Sequence, residues 1–169
     1  MSQINPGTNK VVNTIGVGNA PRGIAAGFGA IWVASEVDRR IARIDLTRGA
    51  VSKSIDLSAD PTALATGAGA LWVTSEDGGA VFRIDPQSGA VKPISVGRGP
   101  IGVAVAGGAV WVANRQDATV SRIDPATDSV TDLITRVGRD PSAIAADERG
   151  VWPTAGTGRW RGSIPRRDG

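Results

Sequence analysis

Residues 21–45 read PRGIAAGFGAIWVASEVDRRIARID, and this stretch decides the fold. After Pro21, the segment Gly23–Ala26 is short and made of small apolar residues. Gly27-Phe28-Gly29 is a turn signal. Ala30–Ala34 (AIWVA) is an apolar run rich in β-formers, Ser35–Arg39 is polar, and Arg40–Ile44 (RIARI) alternates with period two. Asp45–Gly49 is a second turn signal, and Ala50–Ile55 alternates again. The stretch and its continuation predict four short antiparallel strands joined by tight turns.

The same pattern recurs along the chain. Trp32, Trp72, Trp111 and Trp152 are spaced by 40, 39 and 41 residues, and each follows a proline (Pro21, Pro61, Pro100, Pro141) by 11. Three of them are followed 13 residues later by the Asp of an Arg-Ile-Asp triplet, at Asp45, Asp85 and Asp124. The spacing from that Asp to the next Pro varies (16, 15 and 17), which places insertions in a surface loop. Four strands in every repeat of about 40 residues predict an all-β fold, a β-propeller fragment of about four blades. Helical solenoids share this repeat length, but no i, i+3, i+4 apolar stripe is present and Gly and Pro interrupt each unit.

The strand chemistry suits that geometry. Inner strands crowd a propeller axis, and the copies there are small: Gly23–Ala26, Ala63–Thr66, Gly102–Val105 and Ala143–Ala146. The tryptophans fall on second strands, where they are expected to fill the space between blades. The predicted units are 1–20 (end of a preceding blade), 21–60, 61–99, 100–140, 141–155 (start of a further blade) and 156–169 (an irregular basic tail). Within residues 1–20, Ile4-Asn5-Pro6 aligns with Ile84-Asp85-Pro86, and a fourth strand is expected at about residues 10–15.

Composition narrows the chemistry. The 169 residues include 23 Gly, 10 Pro and 5 Trp, with no Cys and no His. Disulfides and thiolate or imidazole metal sites are excluded, as are His bases and Cys nucleophiles. The net charge of +3 resides in Arg159, Arg161, Arg166 and Arg167 against Asp168; the other 158 residues balance 15 basic against 15 acidic groups. A neutral propeller part gives no reason to expect nucleic acid as a partner. No run of about 18 apolar residues predicts membrane insertion. Residues 1–10 are polar, and no signal peptide is read in them. No catalytic residue, metal site or cofactor is expected.

Several constellations invite a functional reading and receive a structural one. Asp45, Asp85 and Asp124 read as caps of Asx-turns rather than a carboxylate cluster. Trp32, Trp72, Trp111 and Trp152 read as inter-blade packing rather than a stacking platform, while Trp160 lies outside the repeat and is expected to be exposed. The glycines near 27–29, 67–69 and 107–108 link strands, with no following helix and no Gly-Lys-Ser/Thr, so they are hairpin turns rather than a phosphate loop. The Arg cluster at 159–167 reads as a disordered, out-of-frame tail rather than as a site for acidic partners. The best place for a ligand is the face carrying the fourth-to-first connections and the second-to-third loops. There Arg22, Glu36, Thr62, Glu76, Asn114, Arg115 and Ser142 differ between blades, as a recognition surface would and as solvated loops would.

The segments APRGIAAGFGAIWVASEVDRRIARIDLTRGAV and GRGPIGVAVAGGAVWVANRQDATVSRIDPATDSV resemble the YVTN/YncE-like bacterial propeller repeats and are similar to the streptogramin (virginiamycin B) lyase-like propellers. The matching elements are the Pro before the inner strand, the Gly-Ala-x-Trp-Val-Ala block and the Arg-Ile-Asp-Pro turn, over residues 4 to about 152. The resemblance implies a closed ring of about seven blades in the family, ligand binding or sensing, and a setting often outside the cytoplasm. It also implies a catalytic His in the lyase, which this sequence lacks. The expected function is therefore a non-enzymatic scaffold binding a small molecule or protein. The alternatives are a piece of a lyase-like enzyme without its catalytic residues, and a sensor or interaction module of a larger receptor.

The end of the chain departs from the repeat. Where Trp-Val-Ala would continue, residues 152–169 read WPTAGTGRWRGSIPRRDG. Back-translated with GC-rich codons and read in a shifted frame, this segment gives ADSGDGQVARIDPATG, which contains the absent Arg-Ile-Asp-Pro. The expectation is a frame change in a longer propeller gene. The two ends offer complementary strands, and these would close a four-blade ring within one chain or a ring of about eight blades between two. A third-strand piece at Ile4 looks too short to complete that blade, and Pro153 cannot donate to a ladder. Three solid blades, a frayed N-terminal strand, an irregular tail after Ala155 and self-association through open blade edges are expected.

Overall fold

The computed structural model describes residues 1–154. Its hairpins set the architecture. Phe28-Gly29, Ala68-Gly69 and Gly107-Gly108 have positive φ at both positions (54° and 70°, 48° and 74°, 61° and 68°). That is the type I′ combination, whose twist matches the strands it joins. Each such turn links a first to a second strand, and longer turns carry the chain to third and fourth strands.

Three four-stranded antiparallel sheets result. They are β3 (Pro21–Gly27), β4 (Ala30–Ser35), β5 (Arg40–Asp45) and β6 (Ala50–Asp56); β7 (Leu64–Gly67), β8 (Ala70–Ser75), β9 (Ala80–Ile84) and β10 (Val91–Ser95); and β11 (Pro100–Ala106), β12 (Ala109–Asn114), β13 (Thr119–Asp124) and β14 (Ser129–Ile134). A two-stranded sheet lies at each end: β1 (Ser2–Asn5) with β2 (Lys10–Thr14), and β15 (Ile144–Ala146) with β16 (Val151–Pro153). No helix occurs among the described residues, so none there is long and apolar enough to cross a membrane.

First strands follow one another along the inner rim: β3 packs on β7, β7 on β11 and β11 on β15. The two end sheets do not pair with each other. The fold is all-β, a partial and unclosed β-propeller.

Strand alternation splits each sheet into two apolar faces. Ala30, Trp32, Ala34 and Ile41 point forward and meet Leu64, Leu71, Val73 and Ile84 of the next sheet. Ala70, Trp72 and Val81 repeat this against Val110, Val112 and Ile123. The backward face of the first complete sheet, with Val33 and Ile44, meets Ile15 and Val17 from the N-terminal segment. Trp32 and Trp72 are fully buried, whereas Trp111 and Trp152 are half-buried, since among the described residues only a two-stranded sheet, or none, packs in front of them.

The N-terminal piece differs from expectation. It is not frayed: β1 pairs with β2 over Ser2↔Thr14 to Asn5↔Lys10, and the Met1 ammonium donates to the Ile15 carbonyl (2.8 Å). The third strand is four residues long rather than a stub at Ile4. Pro153 does not break its strand but ends β16, opposite Ile144. The Thr154 N–H donates to the Ala143 carbonyl (2.9 Å), so by alternation Pro153 turns its missing donor toward the open edge. The expected irregular tail, Trp160 and the Arg cluster at 159–167 lie outside the described residues.

Candidate functional site

The face predicted to bind is formed where first strands begin and second strands end, since Pro21 is opposite Ser35 and Pro100 opposite Asn114. Arg22 Nε donates to Glu36 Oε2 (2.7 Å) within one sheet. Glu76 instead reaches forward to Arg115 in the next sheet. The Glu76 backbone N–H donates to Thr62 Oγ1 (3.4 Å). Ser142 Oγ shares a hydrogen bond with Thr154 Oγ1 (3.1 Å). These six residues therefore sit at one end of the sheets, with their four charged groups neutralised in two pairs.

Asn114 does not join them. It is fully buried, and its Nδ2 donates to Thr119 Oγ1 (3.0 Å) and Ser121 Oγ (2.9 Å). It ties the second strand to the third beneath the surface, because the last residue of a second strand points into the sheet stack. Its counterpart Ser35 also turns inward, donating to the Val17 carbonyl (2.6 Å).

A clasp missed in the sequence organises this face. Asp38 accepts from the Asn19 backbone N–H (2.8 Å) and from Asn19 Nδ2 (2.9 Å). Asp117 accepts from the Arg98 backbone N–H and from Arg98 Nε, both at 2.7 Å. Each carboxylate belongs to a second-to-third loop and holds the connection entering its own sheet. In the middle sheet the equivalent positions are Gly78 and Ala59, and a Cβ on Gly78 would lie 3.0 Å from the Ala59 Cβ. The signal was available: an acidic residue 17 positions after the repeat proline, with a polar partner two positions before it, replaced together by Gly and Ala. The Asn19 amide, then its backbone N–H, holds Asp38 below the usual carboxylate range. The Arg98 backbone N–H, then its side chain, does the same for Asp117.

Beside the last complete clasp lies a basin of about 570 Å³ lined by Asp117, Thr119, Thr135, Arg136, Gly138 and Arg139. Arg136 and Arg139 enter no ion pair among the described residues. Sequence reasoning passed over both, because they sit in the longest of the connections, 17 residues from Asp124 to Pro141, outside the repeated motif.

At the opposite end of the sheets, the third-to-fourth turns repeat one arrangement. Asp45 Oδ1 accepts from the N–H groups of Thr47 (2.8 Å) and Arg48 (2.9 Å), and Asp85 Oδ1 from those of Gln87 (3.0 Å) and Ser88 (2.7 Å). Asp124 Oδ1 accepts from Ala126 (2.8 Å), and Asn5 stands in for Asp with Gly7 (2.8 Å) and Thr8 (3.1 Å). The Arg48 N–H lowers the Asp45 pKa, and the Ser88 N–H lowers that of Asp85. The fourth strand of one sheet grips the turn of the next: Asn13 Nδ2 donates to the Gly49 carbonyl (3.0 Å), Lys53 Nζ to the Ser88 carbonyl (2.7 Å), and Lys92 Nζ to Asp128 Oδ2 (2.8 Å). Among the described residues no group of three or more acidic side chains is placed to hold a metal ion.

Known structures share this architecture. Hydrazine synthase from Kuenenia stuttgartiensis superposes with a TM-score of 0.76 at 17% identity, over 80% of this chain and 42% of that one. A catalytically inactive histidine-to-alanine form of virginiamycin B lyase from Staphylococcus aureus, with quinupristin, gives 0.72 at 26% identity, over 80% and 49%. The computationally designed Ika4 protein gives 0.73 at 16% identity, over 85% and 89%. The chain thus spans about half, or less, of the two natural proteins named. No curated protein matches it. A family profile does match, over residues 23–115, more than half of the chain. The chain belongs to the family described as "Repeat of unknown function (DUF6923)", folded as blades of a β-propeller.

Proposed function

We propose that this chain is a non-enzymatic propeller module that binds an anionic small molecule, or an acidic side chain of a protein partner, on its loop face. The observation that carries this reading is the basin beside Asp117, where Arg136 and Arg139 stand without carboxylate partners while Arg22, Arg98 and Arg115 are neutralised. On the same face Glu36, Glu76, Asp38 and Asp117 are committed to guanidinium or amide donors. The YVTN/YncE-like kinship belongs to this reading, supported by the Pro, Gly-Ala-x-Trp-Val-Ala and Arg-Ile-Asp-Pro blocks. Titration with citrate, followed by calorimetry, tests it. Saturable binding that Arg136→Ala combined with Arg139→Ala removes is expected; heat identical in the double variant would refute it.

A second reading, a piece of a lyase-like enzyme, is favoured by the 26% identity to virginiamycin B lyase. The absence of histidine argues against activity in this chain alone. Incubation with quinupristin, followed by chromatography, separates the readings. An unchanged elution profile is expected, and a new product peak would establish the enzyme.

A further inference from the structure

Among the described residues no sheet packs in front of Trp152, and no tryptophan packs behind the first complete sheet. Trp32 fills the space against Leu64, Leu71 and Ile84, and Trp72 the space against Val103, Val110 and Ile123. The same three positions of the first complete sheet are Ile24, Ile31 and Ile44. There they line an open cavity of about 270 Å³ with Met1, Ile15 and Leu46. Ile24 is 59% exposed. Trp152, on β16, is the forward-facing counterpart and is only half-buried.

The strand inventory matches the same gap. β1 and β2 are a third and a fourth strand, since Asn5 makes the turn that Asp45 and Asp85 make. Asn13 grips Gly49 much as Lys53 grips Ser88. What is absent beside β1 is therefore a first and a second strand. β15 and β16 are a first and a second strand, with no third beside them among the described residues. Trp32 pairs with Arg43 across the second and third strands, so Trp152 would pair with Gln3 and Val151 with Ile4. Pro153 would fall opposite Ser2 and omit one ladder donor, while Val151 keeps its own. Among the described residues the two half-sheets of one chain remain apart, and a second copy carries the complementary strands.

We infer that β15–β16 of one copy completes the blade begun by β1–β2 of a second copy, with Trp152 entering the Ile24–Ile31–Ile44 cavity. Done reciprocally, the two copies close a ring. Each contributes three complete sheets and half of two composite blades, making eight in all, within the range that propellers adopt. Two such heterologous contacts close the ring when each arc spans half a turn, which eight blades shared by two copies requires.

Light scattering on the 17.3 kDa chain tests this. Twice that mass is expected. Ile24→Asp and Trp152→Ala should each return the mass to that of one chain, with the far-ultraviolet dichroism of a β protein retained. As a second measurement, chains carrying Ser2→Cys and Pro153→Cys are mixed and oxidised, since the native chain has no cysteine. A disulfide between the two variants in excess over either like pair is expected. A monomeric native chain, a dimer indifferent to Ile24→Asp, assemblies growing beyond two copies, or cross-linking without preference would each overturn the inference.

Discussion

The Arg83 guanidinium carbon lies 5.9 Å from the ring centroid of Trp72, its direct cross-strand partner. Arg43 on Trp32 (5.8 Å) and Arg122 on Trp111 (5.7 Å) repeat the contact. The Arg of each Arg-Ile-Asp triplet therefore lies over the tryptophan opposite while its polar atoms reach the fourth strand or the next turn, and the Asp two positions on caps the turn. The indole Nε1–H of Trp72 is satisfied by the Gly67 carbonyl (3.0 Å), so the ring can be buried without an orphan donor. Trp72→Ala is expected to cost about 3–5 kcal/mol, as large core truncations do. Arg83→Ala removes a partly exposed cation–π contact, worth about 0.5–2 kcal/mol, together with the ion pair to Asp128 (3.1 Å). Urea denaturation at fixed protein concentration checks both values.

Trp111 carries the same partners but is half-buried. Trp111→Ala should therefore cost clearly less than Trp72→Ala. Equal losses would mean that the last two-stranded sheet covers its neighbour as fully as a complete one does.

Acid should loosen the turns and clasps. Asp38, Asp45, Asp85 and Asp117 all have lowered pKa values in the fold, caused by hydrogen bonds to the ionised form. A carboxylate with a depressed folded pKa contributes stability that is present above its unfolded value of about 3.9 and lost as pH falls through the folded value. The thermal midpoint is expected to hold above pH 5 and to drop below about pH 4. Asp85→Asn should flatten that drop while keeping the turn, since Asn5 already caps one copy. A midpoint independent of pH between 3 and 5 would show that these bonds contribute nothing.

The clasp can be read amide by amide. The Arg98 N–H ends on the Asp117 carboxylate in an exposed connection, where water would otherwise exchange it freely. Asp117→Ala should accelerate hydrogen exchange at Arg98 at least tenfold and leave the Val110 and Val112 amides of the buried second strand unchanged. Uniform acceleration across the sheet would instead mean that Asp117 supports the whole blade.

How much was legible in the sequence follows from which contacts are local. The Trp, Pro and Asp spacings specify hairpins and cross-strand pairs, so the all-β repeat could be read directly from residues such as Trp72 and Asp85. Whether a loop residue faces solvent depends on the pleat at the strand end, and there Asn114, read as exposed, turned inward with Ser35. The clasps join residues 19 positions apart and vary together, with Gly78 and Ala59 in place of the pair, so a search for one repeated residue type missed them. β1 was underestimated because Ser2 and Gln3 carry no β-former signal. Its length comes from pairing with β2, a tertiary effect on a weak local preference.

The inner rim supplies the last prediction. An ideal Cβ on Gly23 would lie 3.1 Å from the Leu64 backbone nitrogen and 3.2 Å from the Ala63 carbonyl carbon. On Gly102 it would lie 3.2 Å from both the Ala143 Cα and the Ile144 nitrogen. In both places the obstacle is the neighbouring first strand's backbone, which cannot rotate aside as a side chain can. The two sites differ in what lies behind that strand. Leu64 belongs to a four-stranded sheet held from both faces, whereas Ile144 belongs to a two-stranded one. Gly23→Val should therefore force strain into a packed neighbour and cost about 1–3 kcal/mol, the range for overpacking. Gly102→Val should cost less, because β15 and β16 can shift as a unit. In the two-chain ring that shift would move Trp152 out of register with Ile24. Gly102→Val is thus expected to weaken self-association more than folding, and Gly23→Val the reverse. Parallel light-scattering and urea measurements on the two variants decide between this account and a uniform loss in both.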